Sequence, residues 1–265
     1  MKVLAGIPTR LRDTSGKIAD VLAKVCDEVY VVSQGATVNS ISSNVTVVEK
    51  DLNYGLVAAR NEILRYANEK EYDIVVQSDD DLKYNPDVIE ALVQEVVENP
   101  LLGAIASSSR AYFRWNEGNI TNQNWVLNPC AAQLWAARRS ILNEVGEWEL
   151  EFLEDRYHGA KMWSMGYPIG LLHTTLTQTH NPFIARTQKG ESSGGQEQGV
   201  VRQQRLQKAI EILNRDFGNI VTATIQPIGS SRTFSTRYRW DKLIQYVIDR
   251  WQYGVGYEDN RGRRM

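Results

Sequence analysis

The sequence predicts an α/β domain, in which a mostly parallel twisted sheet is flanked by helices and followed by a C-terminal helical extension. Short apolar, β-branched runs alternate with stretches whose apolar residues recur at helical spacing, which is the pattern of a parallel sheet covered on both faces. The chain has 265 residues, enough to bury a sizeable core in one domain. Its net charge of −2 provides no overall field that would attract nucleic acid.

The first half of the chain has the clearer pattern. Strands are predicted at 3–7, 28–32, 44–48 and 72–77, and helices at 17–26, at 56–68 and from Pro86 onwards. Asn85 is expected to cap the last of these helices, with Pro86 in its first turn and Asp87 near its positive end.

The second half is less regular. Strands are predicted at 103–107, 131–137 and 167–172, with 174–180 as an extension, and helices at 139–145, 158–165, 200–214 and 238–253. The segment 188–199 is rich in Gly, Ser, Gln and Glu, so we expect it to be a mobile linker or a lid over a site. Arg186 and Lys189 beside it are candidates to close over phosphates.

Three consecutive aspartates, Asp79, Asp80 and Asp81, close the strongest predicted strand. Ligands of parallel sheets lie beyond the carboxyl ends of the strands, where Thr9 and Arg10 also fall. Clustered carboxylates suit Mg²⁺ or Mn²⁺, which proteins usually bind through one or two carboxylates together with substrate phosphates. The alternative is a solvated acidic turn. The position at a strand end, ahead of a well-capped helix, favours a metal site for a phosphate-linked substrate.

Cysteine usage and hydropathy indicate the compartment. Cys26 and Cys130 are too few for a disulfide framework, which favours a reducing interior. The first eight residues resemble a strand more than a signal peptide, and no apolar run approaches the roughly 18 residues needed to span a bilayer. We therefore expect a cytoplasmic protein without a membrane span.

Several short motifs follow one another along the chain. In order, they are Asn-Tyr-Gly at 53–55 with Ala-Arg-Asn at 59–61, the aspartate triplet with Asn-Pro-Asp at 85–87, Ala-Ala-Arg-Arg-Ser at 136–140 with Val-Gly-Glu-Trp at 145–148, Glu-Asp at 154–155, and Gly-Tyr at 166–167. Together these segments resemble the metal-dependent glycosyltransferases of the GT-A fold, close to the inverting family two. The chain has tryptophan at Trp148, where that family usually has phenylalanine. The resemblance covers about residues 1–182, and residues 183–265 match no motif of the family.

This resemblance implies a Rossmann-like catalytic domain over 1–182. It also implies a flexible segment and a helical extension over 183–265 that pack on the same domain. The donor would be a nucleotide-diphosphate sugar, with a UDP-sugar as the expected case, and the acceptor a hydroxyl group. A divalent ion, Mn²⁺ or Mg²⁺, would stabilise the charge that develops on the leaving diphosphate.

The resemblance implies roles for the acidic cluster and a histidine. Asp81 is expected to bind the metal directly, and Asp79 to bind either the metal or the donor's ribose. Asp80 belongs to the donor-binding set, although alternation along an extended segment points its side chain the other way. His180 is expected to complete the metal coordination, with His173 as its competitor.

The donor and the acceptor would each have their own residues. Thr9 and Arg10 are expected to bind the nucleotide base and ribose, and Arg60 to reach the diphosphate unless it is a surface arginine. Asp155 is expected to be the base that deprotonates the acceptor, with Glu154 as runner-up. An acidic helix start is the alternative interpretation of this pair.

Two other function classes compete with sugar transfer. A nucleotidyltransferase that makes nucleotide-sugars would typically carry a glycine-rich basic loop after the first strand, and Ile-Pro-Thr-Arg-Leu-Arg at 7–12 lacks that pattern. A catalytically inactive binding module on the same fold is disfavoured by the intact acidic cluster and Glu-Asp pair.

The acceptor is open between three kinds of hydroxyl. A saccharide or protein hydroxyl is favoured, and the basic, aromatic stretch 232–240 leaves a hydroxymethylated DNA base as a less favoured alternative. Trp115 and Trp125 are candidates to stack on a sugar or base, whereas Trp135, Trp148 and Trp163 are predicted to pack in the core.

Overall fold

A computed structural model describes residues 1–10, 15–107, 125–128, 133–150, 153–172, 179–180, 196–228 and 231–253. The strands are β1 (Val3–Arg10), β2 (Glu28–Gln34), β3 (Val45–Lys50), β4 (Ile74–Ser78), β5 (Leu82–Lys83), β6 (Ala104–Ser107), β7 (Trp125–Asn128), β8 (Leu134–Arg138), β9 (Ile169–Leu172), β10 (Thr179–His180), β11 (Val221–Ile228) and β12 (Ser231–Tyr238). The helices are α1 (Ser15–Leu22), α2 (Leu56–Glu69), α3 (Pro86–Glu98), α4 (Arg139–Val145), α5 (Glu154–Ser164), α6 (Gln196–Phe217) and α7 (Trp240–Tyr253).

The main sheet has eight strands in the order β3-β2-β1-β4-β8-β6-β9-β7. Strands β3, β2, β1 and β4 are parallel, and so are β6 and β9. Strand β8 runs antiparallel between β4 and β6, and β7 runs antiparallel to β9. Strands β5 and β10 form a separate small ladder, and β11 and β12 form a hairpin. The predicted α/β class with a mostly parallel sheet is confirmed.

Helix α2 lies very close to the sheet. Gly6 in β1 makes this approach possible, because a Cβ atom there would lie 2.3 Å from Cγ2 of Ile63. The neighbouring strand places Gln77 directly beside Gly6, so α2 covers the face to which Gln77 belongs. Residue Asp79 follows two positions later, and this packing brings the side chains of α2 to the carboxyl end of β4.

Several elements differ from the sequence-based expectation, and three of these differences have a reason in the residue pattern. Helix α5 begins at Glu154 rather than at 158. The first turn was missed because it is acidic and lacks the apolar spacing from which the rest of the helix was predicted. Helix α6 begins at Gln196, so 196–199 are helical rather than mobile, while 188–195 lie outside the described residues. The β11–β12 hairpin was not predicted, because hydroxyl and basic side chains dilute the apolar alternation of its strands.

Asn85 and Pro86 occupy the expected start of α3, with Asn85 at the N-cap position in extended conformation. Within the described part of the chain, however, the Asn85 side chain makes no capping hydrogen bond, so the expected side-chain cap is wrong. Its backbone carbonyl does accept a bond from the N–H of Val88 at 3.1 Å.

The C-terminal helix α7 packs against the end of α5. Arg250 donates to the carbonyl of Met165 at 3.0 Å and pairs with Glu144 at 2.7 Å, and its guanidinium lies 3.8 Å from the ring centroid of Tyr167. Gly166 has a φ of +76°, and a Cβ atom there would lie 2.5 Å from Cβ of Arg250. A side chain at this position would therefore push α7 away.

Among the described helices, none has both the length and the apolar character that a membrane-crossing helix requires.

Candidate active site

The tips of β1 and β4 meet at Asp80. The hydroxyl of Thr9 donates to Oδ2 of Asp80 at 2.8 Å, and the backbone N–H of Arg10 lies 3.4 Å from the same oxygen. Asp80 is buried. Its carboxylate therefore ties the first strand to the aspartate triplet, and the two donor-binding candidates Thr9 and Arg10 lie beside the acidic cluster.

Asp79 contacts a different element, helix α2. Its Oδ1 atom lies 3.3 Å from Nη2 of Arg60, and the same nitrogen lies 3.7 Å from Oε1 of Glu154. Only 7% of the Arg60 side chain is exposed, so the alternative of a surface arginine is wrong. One guanidinium thus connects the strand-tip aspartates with the carboxylate pair at the start of α5.

Asp81 and His180 belong to neighbouring segments. Asp81 is buried and precedes β5, in which Leu82 lies opposite His180 of β10 in antiparallel register. The backbone of His180 therefore lies one position along the ladder from Asp81. His173 is outside the described residues. Where side chains are described, no three His, Cys, Asp or Glu groups are already arranged around a common metal position.

The carboxylates crowd one another. Desolvation raises the pKa of Asp79 to about 7, with further contributions from Asp81, Asp80 and Glu154, and Arg60 opposes the rise. Desolvation likewise raises the pKa of Glu154, opposed by Arg60 and reinforced by Asp155. The Asp79 side chain is still 33% exposed, so water screens part of this repulsion. Among the described contacts, Arg60 is the cation that opposes the raised pKa values of both Asp79 and Glu154.

Glu154 and Asp155 form the first turn of α5, where the positive end of the helix favours carboxylates. The preceding residue, Leu153, has φ 59° and ψ 27°, a left-handed conformation that costs a leucine about 1 kcal/mol or more. Glu154 turns towards Arg60, whereas Oδ1 of Asp155 accepts the backbone N–H of Arg156 at 2.9 Å. The two acids thus face different partners.

Trp148, which was predicted to pack in the core, is buried and lies beneath Arg60. Cζ of Arg60 is 4.5 Å from the Trp148 ring, and the ring of His158 stacks on the same indole at 4.0 Å with planes 9° apart. Asn61 donates to the Trp148 carbonyl at 3.0 Å and accepts its N–H at 2.8 Å. The Ala-Arg-Asn motif could have indicated this role of Trp148, because the arginine and the asparagine of the motif both contact Trp148. His158 had no sequence signal.

Three other tryptophans among the described residues are buried. Trp125 is buried in β7 against the backbone position of Gly170, so its proposed stacking on a sugar or base is wrong. Trp135 and Trp163 are buried, which confirms their place in the core. Trp115, Arg186 and Lys189 lie outside the described residues.

His158 gives a testable pH dependence of stability. Burial lowers its pKa to about 3, so the folded protein keeps it neutral while the unfolded chain binds a proton below about pH 6.5. Its contribution is complete above pH 6.5 and is lost as pH falls towards 3. Between pH 7 and pH 5 we expect a loss of about 2 kcal/mol in the free energy of unfolding, measured by urea titration. His158→Phe should remove this loss, and an unchanged pH slope in that variant would contradict the burial of a neutral imidazole.

The sheet order, the acidic strand tip and the carboxylate pair at a helix start agree with the resemblance to a GT-A transferase. The model of the family described as "Glycosyl transferase family 2" matches residues 20–162, more than half of the chain. The chain therefore belongs to glycosyltransferase family 2, and the family resemblance predicted from its motifs is confirmed. No curated protein gives a match.

Several solved structures resemble this chain in part. The structure of S. aureus TarS 1-349 in complex with UDP-GlcNAc has a TM-score of 0.47 and 17% identity, covering 66% of this chain and 57% of that one. Mannosyltransferase PcManGT from Pyrobaculum calidifontis, in complex with GDP-Man and Mn²⁺, has a TM-score of 0.48 and 19% identity, covering 64% and 56%. A CMP:2-keto-3-deoxy-manno-octonic acid synthetase complexed with CTP has a TM-score of 0.46 and 12% identity, covering 74% and 100%. The matched part of this chain thus spans less than two thirds of the TarS and PcManGT chains, and none of these likenesses carries an argument about function.

Proposed function

We propose that this chain moves a sugar from a nucleotide-diphosphate donor, with a UDP-sugar as the expected case, to an acceptor hydroxyl, with inversion at the anomeric carbon. The observation that carries the proposal is the position of Arg60 between Asp79 and Glu154. It joins a strand-tip acidic cluster, suited to a phosphate-bound cation, to a carboxylate pair suited to proton transfer. Leaving group and acceptor would therefore meet on either side of one guanidinium.

The donor set fits a divalent cation. Asp79 and Asp81 would supply the hard carboxylate oxygens that Mg²⁺ and Mn²⁺ prefer. Desolvation and the charges of Asp81, Asp80 and Glu154 raise the pKa of Asp79, a rise that a bound cation would oppose. His180, whose backbone pairs with Leu82 next to Asp81, is proposed as a further ligand, which would suit Mn²⁺. When bound, the ion would neutralise negative charge on the departing diphosphate.

Residues at the tip of β1 are proposed to hold the nucleotide. Thr9 and Arg10 form the last two parallel pairs with β2 and lie beyond the last pairing with β4, at the sheet edge where ligands of such sheets bind. Asp80 belongs to this donor side, and its bonds to Thr9 and Arg10 hold that tip in place. Arg60 is proposed to reach the diphosphate from α2.

Asp155 is proposed as the base. It would accept the proton of the acceptor hydroxyl as the oxygen bonds to the anomeric carbon, while the bond from that carbon to the donor's phosphate oxygen breaks. Attack opposite to the leaving group inverts the centre. Glu154 is the competitor, because a raised pKa suits a base near neutral pH, but its contact with Arg60 favours a positioning role.

The other assignments follow from this function. Residues 183–265 are proposed to include a flexible segment and a helical extension that packs on the catalytic domain. The contacts of Arg250 with Met165 and Glu144 support this proposal. If it holds, the whole protein should unfold in one cooperative transition. A saccharide or protein hydroxyl is proposed as the acceptor, ahead of a hydroxymethylated DNA base, and the protein is proposed to act in the cytoplasm.

A thermal-shift screen tests the function directly. Purified protein is heated with UDP-, GDP- and CMP-linked sugars, with and without Mn²⁺, because a ligand that binds only the folded state raises its stability. At a concentration of 100 times Kd we expect a rise of about 5 °C for one nucleotide-sugar, and only with metal. Stabilisation by a nucleoside triphosphate alone would instead identify a nucleotidyltransferase. No shift with any ligand would contradict both.

A further inference from the structure

Arg60 has an exacting position. A single nitrogen, Nη2, lies 3.3 Å from Oδ1 of Asp79, which follows β4, and 3.7 Å from Oε1 of Glu154, which begins α5. An arginine side chain has many rotamers, so something must hold it between the two carboxylates. The two carboxylates alone do not fix the position of the Arg60 guanidinium, because each carboxylate side chain could move with the guanidinium by changing its own rotamer.

The surface beneath Arg60 is rigid. Trp148 is 3% exposed, and its indole supports the guanidinium at 4.5 Å. Both hydrogen bonds from Asn61 fix the Trp148 backbone to α2, the helix that carries Arg60. The platform and the cation are therefore anchored to the same helix, and a cation over an aromatic face that water cannot reach is held more strongly than an exposed one.

His158 supports this tryptophan from α5. Its ring is 1% exposed and nearly parallel to the indole, and neither ring nitrogen has a hydrogen-bond partner among the described residues. An imidazole without polar contacts acts here as a flat neutral ring. Because α5 also begins with Glu154, the stack links the helix that carries the acceptor-side acids to the helix that carries Arg60.

We infer that Trp148, supported by His158, is a positioning residue that sets the place of Arg60 between Asp79 and Glu154. The inference rests on the proposed sugar transfer. Its role is to hold the donor-side and acceptor-side carboxylates in one fixed relation, without itself touching either substrate. A displacement of about 1 Å in such a group can cost a factor of about 100 in rate.

The first test separates positioning from packing through kcat and KM. Trp148→Leu removes the aromatic face and is expected to lower kcat about 10-fold to 100-fold, while the donor KM changes less than about threefold. Trp148→Phe keeps an aromatic face and should rescue kcat to within about threefold of the parent. A fall in stability with unchanged kcat in Trp148→Leu would overturn the inference.

The second test is a double-mutant cycle with Arg60. If Trp148 acts through the guanidinium, Trp148→Leu should cost no further kcat in an Arg60→Met background. The control is Trp163→Phe, at a buried tryptophan of α5 that meets Trp240 edge to face and whose described ring contacts do not include Arg60. Its effect should multiply with that of Arg60→Met. Multiplication in the Trp148 cycle as well would make Trp148 a merely structural residue.

The same cycle measured by urea unfolding keeps the inference separate from the proposed function. Should the parent protein transfer no sugar from any donor, the function fails, but non-additive unfolding midpoints for Trp148→Leu and Arg60→Met would still support the contact. Additive midpoints would overturn it. If Trp148→Leu does not fold, His158→Leu takes its place, because it removes only the supporting ring and should lower kcat in the same direction.

Discussion

Replacing Asp81 by alanine is expected to lower the metal-dependent kcat of sugar transfer about 10³-fold or more. The substitution removes a carboxylate oxygen from the proposed cation site, so charge on the departing diphosphate would lose its main stabilisation. The measurement is the initial rate with a saturating nucleotide-sugar over a range of Mn²⁺ concentrations. Part of the lost activity should return at high Mn²⁺ if weaker binding, rather than altered geometry, dominates.

The control for this variant is Asp87→Ala. Asp87 is an exposed acid in the first turn of α3, six residues further along, and lies outside the cluster. Its removal should leave the Mn²⁺ dependence unchanged and cost at most about 1 kcal/mol of stability through the helix dipole. Full activity of Asp81→Ala in excess Mn²⁺ would remove Asp81 from the metal site.

Asp155→Asn is expected to keep donor binding and to lose transfer by a factor of about 10² to 10⁴. An amide of nearly the same shape still occupies the first turn of α5 but cannot accept the acceptor's proton. Calorimetric titration with the donor and Mn²⁺ should therefore give a Kd close to that of the parent. The rate of product formation should fall under the same conditions.

Glu154→Gln distinguishes the two acids of the pair. Its contact with Arg60 predicts a smaller fall in kcat than that of Asp155→Asn, because a neutral side chain weakens the link to Arg60 without removing the base. The exposed Glu147 provides the control Glu147→Gln, which should be silent. Intact donor binding with complete loss of transfer in Glu154→Gln would move the base by one residue.

The charges around Asp79 explain why a substitution at Asp81 should affect the metal dependence, whereas one at Asp155 should affect proton transfer. Asp79 has a pKa raised to about 7 by desolvation, and the neighbouring carboxylates add to the rise that Arg60 opposes. A cation near Asp79 and Asp81 would relieve this repulsion, whereas neutralising one acid would relieve it in part but remove a ligand. Asp155 differs from these acids because its carboxylate accepts a hydrogen bond from the backbone N–H of Arg156.

Much of the architecture follows from local pattern. Apolar runs over β1, β2 and β4 predict buried parallel strands, and the apolar stripe of α3 predicts its packing, because burial on one face or two imposes a period on the sequence. The position of the aspartates was predictable for the same reason, since a polar run directly after a buried strand must lie at its carboxyl end. Family membership followed from the order of short motifs.

Other features left no local trace. The β11–β12 hairpin has strands rich in Thr, Ser and Arg, and the start of α5 at Glu154 has no apolar repeat, so neither boundary could be placed from periodicity. Trp125 stands in a polar, irregular stretch that suggested a binding surface, yet it fills the space beside Gly170 in the core. Its surroundings come from β9, which is distant in sequence.

The sequence by itself determined the fold class, the transferase family and the acidic strand tip, because each is written in residues close together in the chain. Tertiary structure alone decided that Arg60 lies between Asp79 and Glu154. It also decided that Trp148 accepts a hydrogen bond from Asn61 and stacks on His158. The contact between Asn61 and Trp148 spans 87 residues of chain. Such contacts depend on how closely α2 and α5 approach the sheet, and that distance is set by packing, as at Gly6 against Ile63, rather than by any local preference.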